Sequence, residues 1–441
     1  MKYDAFFELA KAAGIEEAEL SISTSYSLSF SLFHGEIDSY TSSNSSSYLA
    51  RGIYKVKMGS ISSDVYNKDI AKYFVEQIVN NASVIENDDP VFIFKGNEKY
   101  RKINTFNKQL STISVEKKIE LAKDIEKKIK AGDPRIIEVE TVAYDEASSS
   151  NTIINSHGLK LVQKNNYFLY YGGAVARENG QTKTGGDLYF GNDFSKFDAD
   201  ELVKSIVKDT VDQLGGFACD TATYKAVLSP DVVKAFLSAY VSSAIAEDVQ
   251  KNSSLFVGKL GQKVASKKVT VEDLPLAKTV FARSFDDEGV ATYNKPIIKN
   301  GILQTYLYNL TTAAKEGVQT TANGAVGGGS KVYTNPWFLK MKPGKKTQEQ
   351  LFEEIGDGVY ITSVQGLHAG LNPRSGNFSL QSTGYFVEKG KKTHGLDIIT
   401  VSGNLVDLFN SVVEVGNDSK LFISGIECPS VIVKKIAVSG K

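Results

Sequence analysis

Four histidines, two cysteines and one tight run of acids are the side chains in this sequence with the most chemistry to offer. The histidines are His34, His157, His368 and His394. A zinc hydrolase needs at least two imidazoles, a third ligand and a carboxylate to activate the bound water. No two of these histidines lie close in sequence, so there is no local His-pair motif. Neither Cys219 nor Cys428 has a histidine near it in sequence to form a thiolate–imidazole pair. Asp286, Asp287 and Glu288 stand in succession and could grip a cation. One short acidic run supplies few ligands for calcium, so turn chemistry and capping suit it better. Residues 324–331, GAVGGGSK, look like a phosphate loop until the order is read. Ser330 precedes Lys331 and no Gly-Lys-Ser/Thr follows, which leaves a flexible or tightly packed loop. Residues 366–377 are dense in polar groups, with His368, Asn372, Arg374 and Asn377 among them. That loop reads equally as a binding surface and as a structured turn.

Elements must position these groups. Residues 18–32 alternate Ala, Leu, Ile, Thr, Tyr, Leu, Phe and Leu with Glu or Ser. Period two predicts a strand with one buried and one wet face. A short helix over 3–13 precedes it, and a helix over 67–82 follows, with Ile70, Tyr73, Phe74 and Ile78 inward. The order then repeats. A helix over 115–131 ends at Gly132-Asp133-Pro134, three strand-like runs follow, and a helix over 198–214 closes the unit. Residues 1–85 and 115–214 thus share one plan, helix, strands, helix. His34-Gly35 and His157-Gly158 fall at corresponding turns, where a structural role suffices.

Gly215-Gly216 marks a boundary near residue 220. Beyond it, Ser229-Pro230-Asp231 is a helix start. Val233, Phe236, Leu237, Tyr240, Val241, Ala244 and Ile245 then give one apolar stripe running straight through to about residue 250. The rest is strand-rich. Lys299-Asn300-Gly301-Ile302 predicts a hairpin between two strands, with the second running through ILQTYLYN. Helices are expected over 347–356 and 404–413. Without a βαβ rhythm, the fold class is α+β. Duplicated N-terminal helix–strands–helix units over 1–220 precede a mostly antiparallel, β-rich domain over 221–441.

The composition excludes several classes. Lys plus Arg and Asp plus Glu are equal at 51 each. That balance argues against direct nucleic-acid binding. Two thiols make no disulfide framework, and no run approaches the roughly 18 apolar residues of a membrane helix. A cytoplasmic protein with no membrane association is expected.

Five segments in order carry a resemblance: 256–273, 285–309, 366–390, 401–418 and the terminal PSVIVKKIAVSG. Together they resemble the TldD/PmbA family, once described as modulators of DNA gyrase. The resemblance implies two branches. The TldD-like branch carries a His-Glu-x-x-x-His metal motif and a further Cys ligand near its C-terminus, while the PmbA branch, also called TldE, lacks the motif. The two are thought to pair as a cytoplasmic protease acting on unfolded peptides. In this chain the motif's histidine positions fall near Ser238 and Ser243, and Cys428 lies close to where the metal branch places its Cys. The expectation is a non-catalytic PmbA/TldE-type subunit with no metal of its own, zinc being held by a TldD-like partner. It would pair with that partner, with a second copy of itself, or with both. Asp286, Asp287, Glu288, His368, Asn372, Arg374 and Asn377 are the candidates for a peptide or partner groove. Two alternatives stand beside this reading: an active metallopeptidase homodimer using scattered ligands such as His368 and Cys428, and an interaction protein modulating gyrase.

Overall fold

A computed structural model describes residues 3–97, 99–327 and 331–440. The first unit is α1 (Asp4–Ala12), β1 (Glu17–Phe33), β2 (Glu36–Tyr54), β3 (Lys57–Ser63) and α2 (Lys68–Ser83). The second is α3 (Val115–Gly132), β4 (Ile136–Asn155), β5 (Lys160–Glu178), β6 (Gln181–Gly191) and α4 (Ala199–Val211). The two units build one six-stranded antiparallel sheet in the order β3-β2-β1-β4-β5-β6. The order reads outward in the same way from the β1–β4 seam, so the sequence repeat is a structural repeat. His34 and Gly35 turn the chain between β1 and β2, and His157 and Gly158 turn it between β4 and β5.

The four central strands are 17 to 20 residues long, against about 5–6 for an ordinary strand. They are long because they cross two helix layers. α1 and α2 bury Leu20, Ile22 and Ala50 at one end of the sheet, and α3 and α4 bury Leu28, Phe30, Leu32, Tyr144 and Phe168 at the other. Between the layers the alternation of β1 lapses: Thr24 is exposed and Tyr26 half-buried, although both continue the apolar series. The buried face of α2 is Ala71, Phe74, Val75, Ile78 and Ala82, so Tyr73 points outward instead.

The chain continues through β7 (Ala222–Leu228), α5 (Pro230–Val241), α6 (Ala246–Gln250), β8 (Val271–Asp273), β9 (Lys295–Lys299), β10 (Ile302–Leu303) and α7 (Leu310–Glu316). Then come β11 (Gly324–Val326), β12 (Val332–Thr334), β13 (Leu339–Met341), α8 (Gln348–Ile355), β14 (Gly358–Gln365), α9 (Leu367–Gly370), β15 (Asn377–Glu388) and β16 (Lys391–Asn404). α10 (Leu405–Asn410), β17 (Val412–Val415), β18 (Lys420–Phe422), β19 (Ile426–Cys428) and β20 (Val431–Ser439) end it. One sheet has the order β16-β15-β14-β7-β20-β17, and the extra β16–β20 pairing closes five of its strands on themselves. Most pairs are antiparallel, with β7–β14 and β13–β19 parallel. α5 packs into a continuous core against these strands.

Three expectations need correction. The α5 stripe does not run through: the helix ends at Val241, a 3-10 turn spans Ser242–Ala244, and Ile245 is extended. The chain leaves the helix there to bridge Leu307, with Leu307 N donating to Ala244 O and Ala246 N to Leu307 O. The strand predicted through ILQTYLYN lasts only two residues, because Tyr306, Leu307 and Tyr308 are fixed by Phe256, Ala244 and Thr321 rather than by a ladder. The last helix stops at Asn410, and β17 begins two residues later. In the glycine-rich loop, residues 324–326 form β11, and 328–330 lie outside the described residues.

Candidate functional site

The N-terminal sheet and the C-terminal region meet at the acidic run. Phe285 bridges Ala291 across a tight turn whose Gly289 has φ +85°. Asp286 organises the turn: its Oδ1 accepts from the N–H groups of Glu288 and Val290, and its Oδ2 from Gly324 N. Glu288 Oε2 accepts from Leu310 N at the first turn of α7. A Cβ at Gly324 would come within 2.3 Å of that carboxylate oxygen, so glycine is required there for the close approach. Asp286 and Glu288 are therefore buried turn and capping groups. Asp287 alone of the three stays partly exposed, paired with Arg283 at 2.8 Å.

Opposite this turn, β1 and β2 supply Glu19 and Arg51, both buried. Arg51 Nε and Nη2 both donate to Glu19 Oε1, which leaves Glu19 Oε2 buried without a partner. Glu247 on α6 likewise uses Oε1 for Asn309 and Thr334, while its Oε2 has none. Carboxylates outnumber cations here, and burial raises the pKa of Glu19, Asp286 and Glu288. It pushes Glu288 up to about 7, with Glu19 and Glu247 adding to the rise against Arg51. It drives Asp286 well above the usual range, with Glu288 adding to it.

The segment joining α2 to α3 ties the two regions together. Tyr100 OH donates to Gly289 O, Asn97 Oδ1 accepts from Ala291 N, and Thr311 Oγ1 donates to Pro90 O. On β5, Gln163 accepts from Ser284 and Asn165 donates to the carbonyls of Val280 and Ala282. A polar cavity of about 290 Å³ lies between the regions, lined by Ser21, Ser23, Ser47, Asn151, Arg283 and Asp287 among others. Sequence reasoning missed Glu19, Arg51, Glu247 and this cavity. The one signal available was a Glu and an Arg inside otherwise strand-like runs.

The second predicted set sits elsewhere. Asn372 Oδ1 accepts from Arg374 N and Ser375 N, Asn372 N donates to Asn377 O, and Asn404 Nδ2 donates to Asn377 Oδ1. These contacts make a structured turn that presents His368 and Arg374 outward. Among the described residues no hydrogen bond or ion pair joins this loop to Asp286, Asp287 or Glu288.

The metal question turns on α5. Ser238 is exposed on the helix and Ser243 is buried in the 3-10 turn. Neither offers the imidazole that zinc takes in such a motif. Cys428 is at the wrong end of α5: its thiol donates to Pro230 O at 3.3 Å, and burial raises its pKa. Eight residues of helix, about 12 Å, separate Pro230 from Ser238. Among the described residues no three His, Cys, Asp or Glu side chains gather into a group that could hold a metal ion. The residues present do not fit the family's zinc. Among them, too, no helix is long and apolar enough to cross a membrane.

Comparison with known proteins agrees with this architecture. Residues 221–440 match the PmbA/TldA metallopeptidase C-terminal domain, and 108–214 match the central domain of the same family. A metalloprotease of Methanocaldococcus jannaschii is 26% identical over 92% of this chain and 91% of its own. The metalloprotease PmbA of Escherichia coli O157:H7 is 27% identical over 75% of this chain and 71% of its own. A Thermotoga maritima crystal structure, described as a candidate modulator of DNA gyrase, superposes with TM-score 0.91 at 32% identity, covering 99% of both chains. TldE of Thermococcus kodakarensis shares the fold at TM-score 0.91 and 21% identity, over 99% of this chain and 100% of its own. The chain belongs to the PmbA/TldD metallopeptidase family.

Proposed function

We propose that this chain is the non-catalytic, PmbA/TldE-type subunit of a cytoplasmic metalloprotease that degrades unfolded or small peptides, its zinc being carried by a TldD-like partner. The observation that supports this reading most is the pair of serines, Ser238 and Ser243, at the end of α5. Histidines five residues apart would point about 140° apart on a regular helix, so a metal branch must end or distort its helix here. This chain does end its helix at Val241, yet has Ser238 and Ser243 at the two positions. The scaffold for the site is kept and its chemistry is absent. The polar cavity between the two regions, with Asp287 and Arg283 on one wall, is the place for substrate contact. There Ser21, Ser23, Ser47, Asn151, Arg283 and Asp287 offer side-chain hydrogen bonds to the main chain of an extended peptide.

The test is zinc stoichiometry of the purified chain, alone and mixed with a TldD-like partner, with cleavage of an unfolded peptide followed in parallel. Zinc and cleavage are expected only in the mixture. Stoichiometric zinc or peptidase activity in the chain alone would overturn the reading in favour of a homodimeric enzyme.

A further inference from the structure

Away from the seam, the C-terminal region has a concavity of one charge. A pocket of about 540 Å³ is lined by Lys263, Lys267, Lys268 and Lys434, with Asn300 and Ser266 beside them and no Asp or Glu. Among the described residues only Lys268 of the four has an ion pair, with Glu414 at 3.1 Å, and Glu414 is shared with Lys346 at 3.4 Å. Lys263, Lys267 and Lys434 are exposed and unpaired among those residues. The whole chain has as many acids as bases, 51 of each, so the pocket is a local segregation of charge within a neutral protein. Asn300 adds a donor to it. Its Oδ1 faces Thr270 Oγ1 at 3.4 Å, and its Nδ2 has no partner among the described residues.

The walls that carry these side chains are fixed by the fold. The hairpin between β9 and β10 turns through Asn300 and Gly301, at φ +49° and +80°. Gly301 lies so close to the 263–266 segment that a Cβ would meet Ala265 O at 2.3 Å, and Val264 N and Ala265 N both donate to Gly301 O. Ser266 N donates to Phe409 O at the end of α10, and Lys434 N on β20 donates to Ser411 O. Ser266 Oγ accepts from Lys268 N and turns the chain there. Stretches far apart in sequence are thus locked together with four lysines on one hollow. Like charges gathered in this way repel one another and add nothing to the stability of the fold. What they do create is a cleft of one sign, which focuses its field and concentrates ions of the other sign.

We infer that the pocket between Lys263, Lys267, Lys268 and Lys434 is a binding site for a small polyanion carrying phosphate groups. The ligand class follows from the lining. A volume of about 540 Å³ lies in the range of small-molecule pockets, about 300–1,000 Å³. The lysine ammonium is a compact point charge that meets phosphate oxygens from any side. A carboxylate of an acidic peptide is best held by the planar fork of an arginine, and no arginine lines the pocket. A nucleic-acid strand needs aromatic platforms for its bases, and no aromatic side chain lines it either. Contact here is made by side chains, so it needs no open strand edge. The inference goes beyond the proposed function and stands whether or not a catalytic partner exists.

Titration calorimetry of the full chain with tripolyphosphate at low salt is the test, with poly-glutamate and a single-stranded oligonucleotide as rival ligands. Saturable binding is expected, weakening as salt is added. The double variant K263Q/K434Q should lose at least about tenfold in affinity with unchanged circular dichroism. The control K72Q/K204Q removes two exposed lysines of the N-terminal helices and should bind as the parent does. E414Q frees Lys268 and Lys346 from their shared acid and should bind severalfold more tightly. No saturable binding up to about 1 mM tripolyphosphate overturns the inference. So does binding that K263Q/K434Q leaves unchanged, binding that K72Q/K204Q weakens equally, or weaker binding in E414Q. Tighter binding of poly-glutamate or of the oligonucleotide overturns it too, in favour of a macromolecular surface. Zinc content and peptide cleavage in the mixture bear on the proposed function and leave this site untouched.

Discussion

The two regions solve the problem of sheet edges in opposite ways. The C-terminal strands β7, β14, β15, β16 and β20 close on one another, and a continuous apolar core packs against them with α5. The N-terminal sheet stays open, spans two separate small cores, and is polar where they do not reach. Closure removes the edge and leaves the strands little to bind with. Openness leaves main-chain groups available at a margin and a seam. In this chain the candidate contact, the cavity of about 290 Å³, lies where β1, β2 and β4 of the open sheet face Arg283 and Asp287 of the C-terminal region. The closed region supplies the wall against which the open one is fixed.

The seam between them is where the comparison breaks most easily. Arg51 is the N-terminal sheet's buried cation, and its removal leaves Glu19 buried and uncompensated beside Asp287. Breaking one partner of a buried pair costs about 3–5 kcal/mol. Arg51→Ala should lose that much in urea unfolding. A Glu19→Gln, Arg51→Met double variant should recover most of it. If Arg51→Ala costs under about 1 kcal/mol, the seam is wetter than its geometry implies.

The same seam makes a prediction of opposite sign. Glu288 titrates at about 7 in the folded chain, against 4.5 for an ordinary glutamate. Between those values the folded state binds more protons than the unfolded one, so stability falls as pH rises. The penalty is absent below about 4.5 and complete above about 7, and 2.5 pH units correspond to roughly 3 kcal/mol. Glu19, Glu247 and Asp286 face Glu288 with negative charge, and Arg51 opposes them. Glu288→Gln keeps an acceptor for Leu310 N and removes the charge. It should be more stable than the parent at pH 8, by up to roughly 3 kcal/mol, and equal to it below about pH 4. A pH–stability curve unchanged by the substitution would mean that Glu288 stays ionised.

Legibility differed between the regions for a physical reason. The helix–strands–helix repeat could be read because alternation and helical periodicity are local, and each unit buries its own face. The strand of residues 18–32 was evident from its alternation, but its dry-to-wet lapse at Thr24 and Tyr26 depends on where two distant helix pairs stop. The end of α5 was hidden because Val241, Ala244 and Ile245 continue the apolar stripe. Only the bridge to Leu307, some sixty residues away, ends the helix. The candidate site was least legible. Asp286, Asp287 and Glu288 were visible as a cluster, but Glu19, Arg51 and Glu247 reach them from three other elements. Which of the acids would be buried is a property of the docking. His368, Asn372, Arg374 and Asn377 were visible as a polar loop. The sequence alone left open whether Asn372 would serve a turn, which its bonds to Arg374 and Ser375 now make clear.

The smallest expected effect sharpens the comparison with one deletion made twice. Ser114 caps α3 on the surface of the open sheet's helix layer, its hydroxyl accepting from Lys117 N. Ser229 caps α5 inside the closed region, accepting from Val232 N and donating to Thr362 O on β14. Replacing an N-cap serine by alanine costs about 0.5–2 kcal/mol. Water can replace the hydroxyl at exposed Ser114, so Ser114→Ala should sit near the lower limit. Ser229 is 3% exposed, and its loss strands the buried N–H of Val232 together with the carbonyl of half-buried Thr362. Ser229→Ala should sit near the upper limit, with a larger fall in Tm than Ser114→Ala. Equal losses would mean that the closed region tolerates a missing hydroxyl as readily as the open one, and that closure does not tighten the packing around α5.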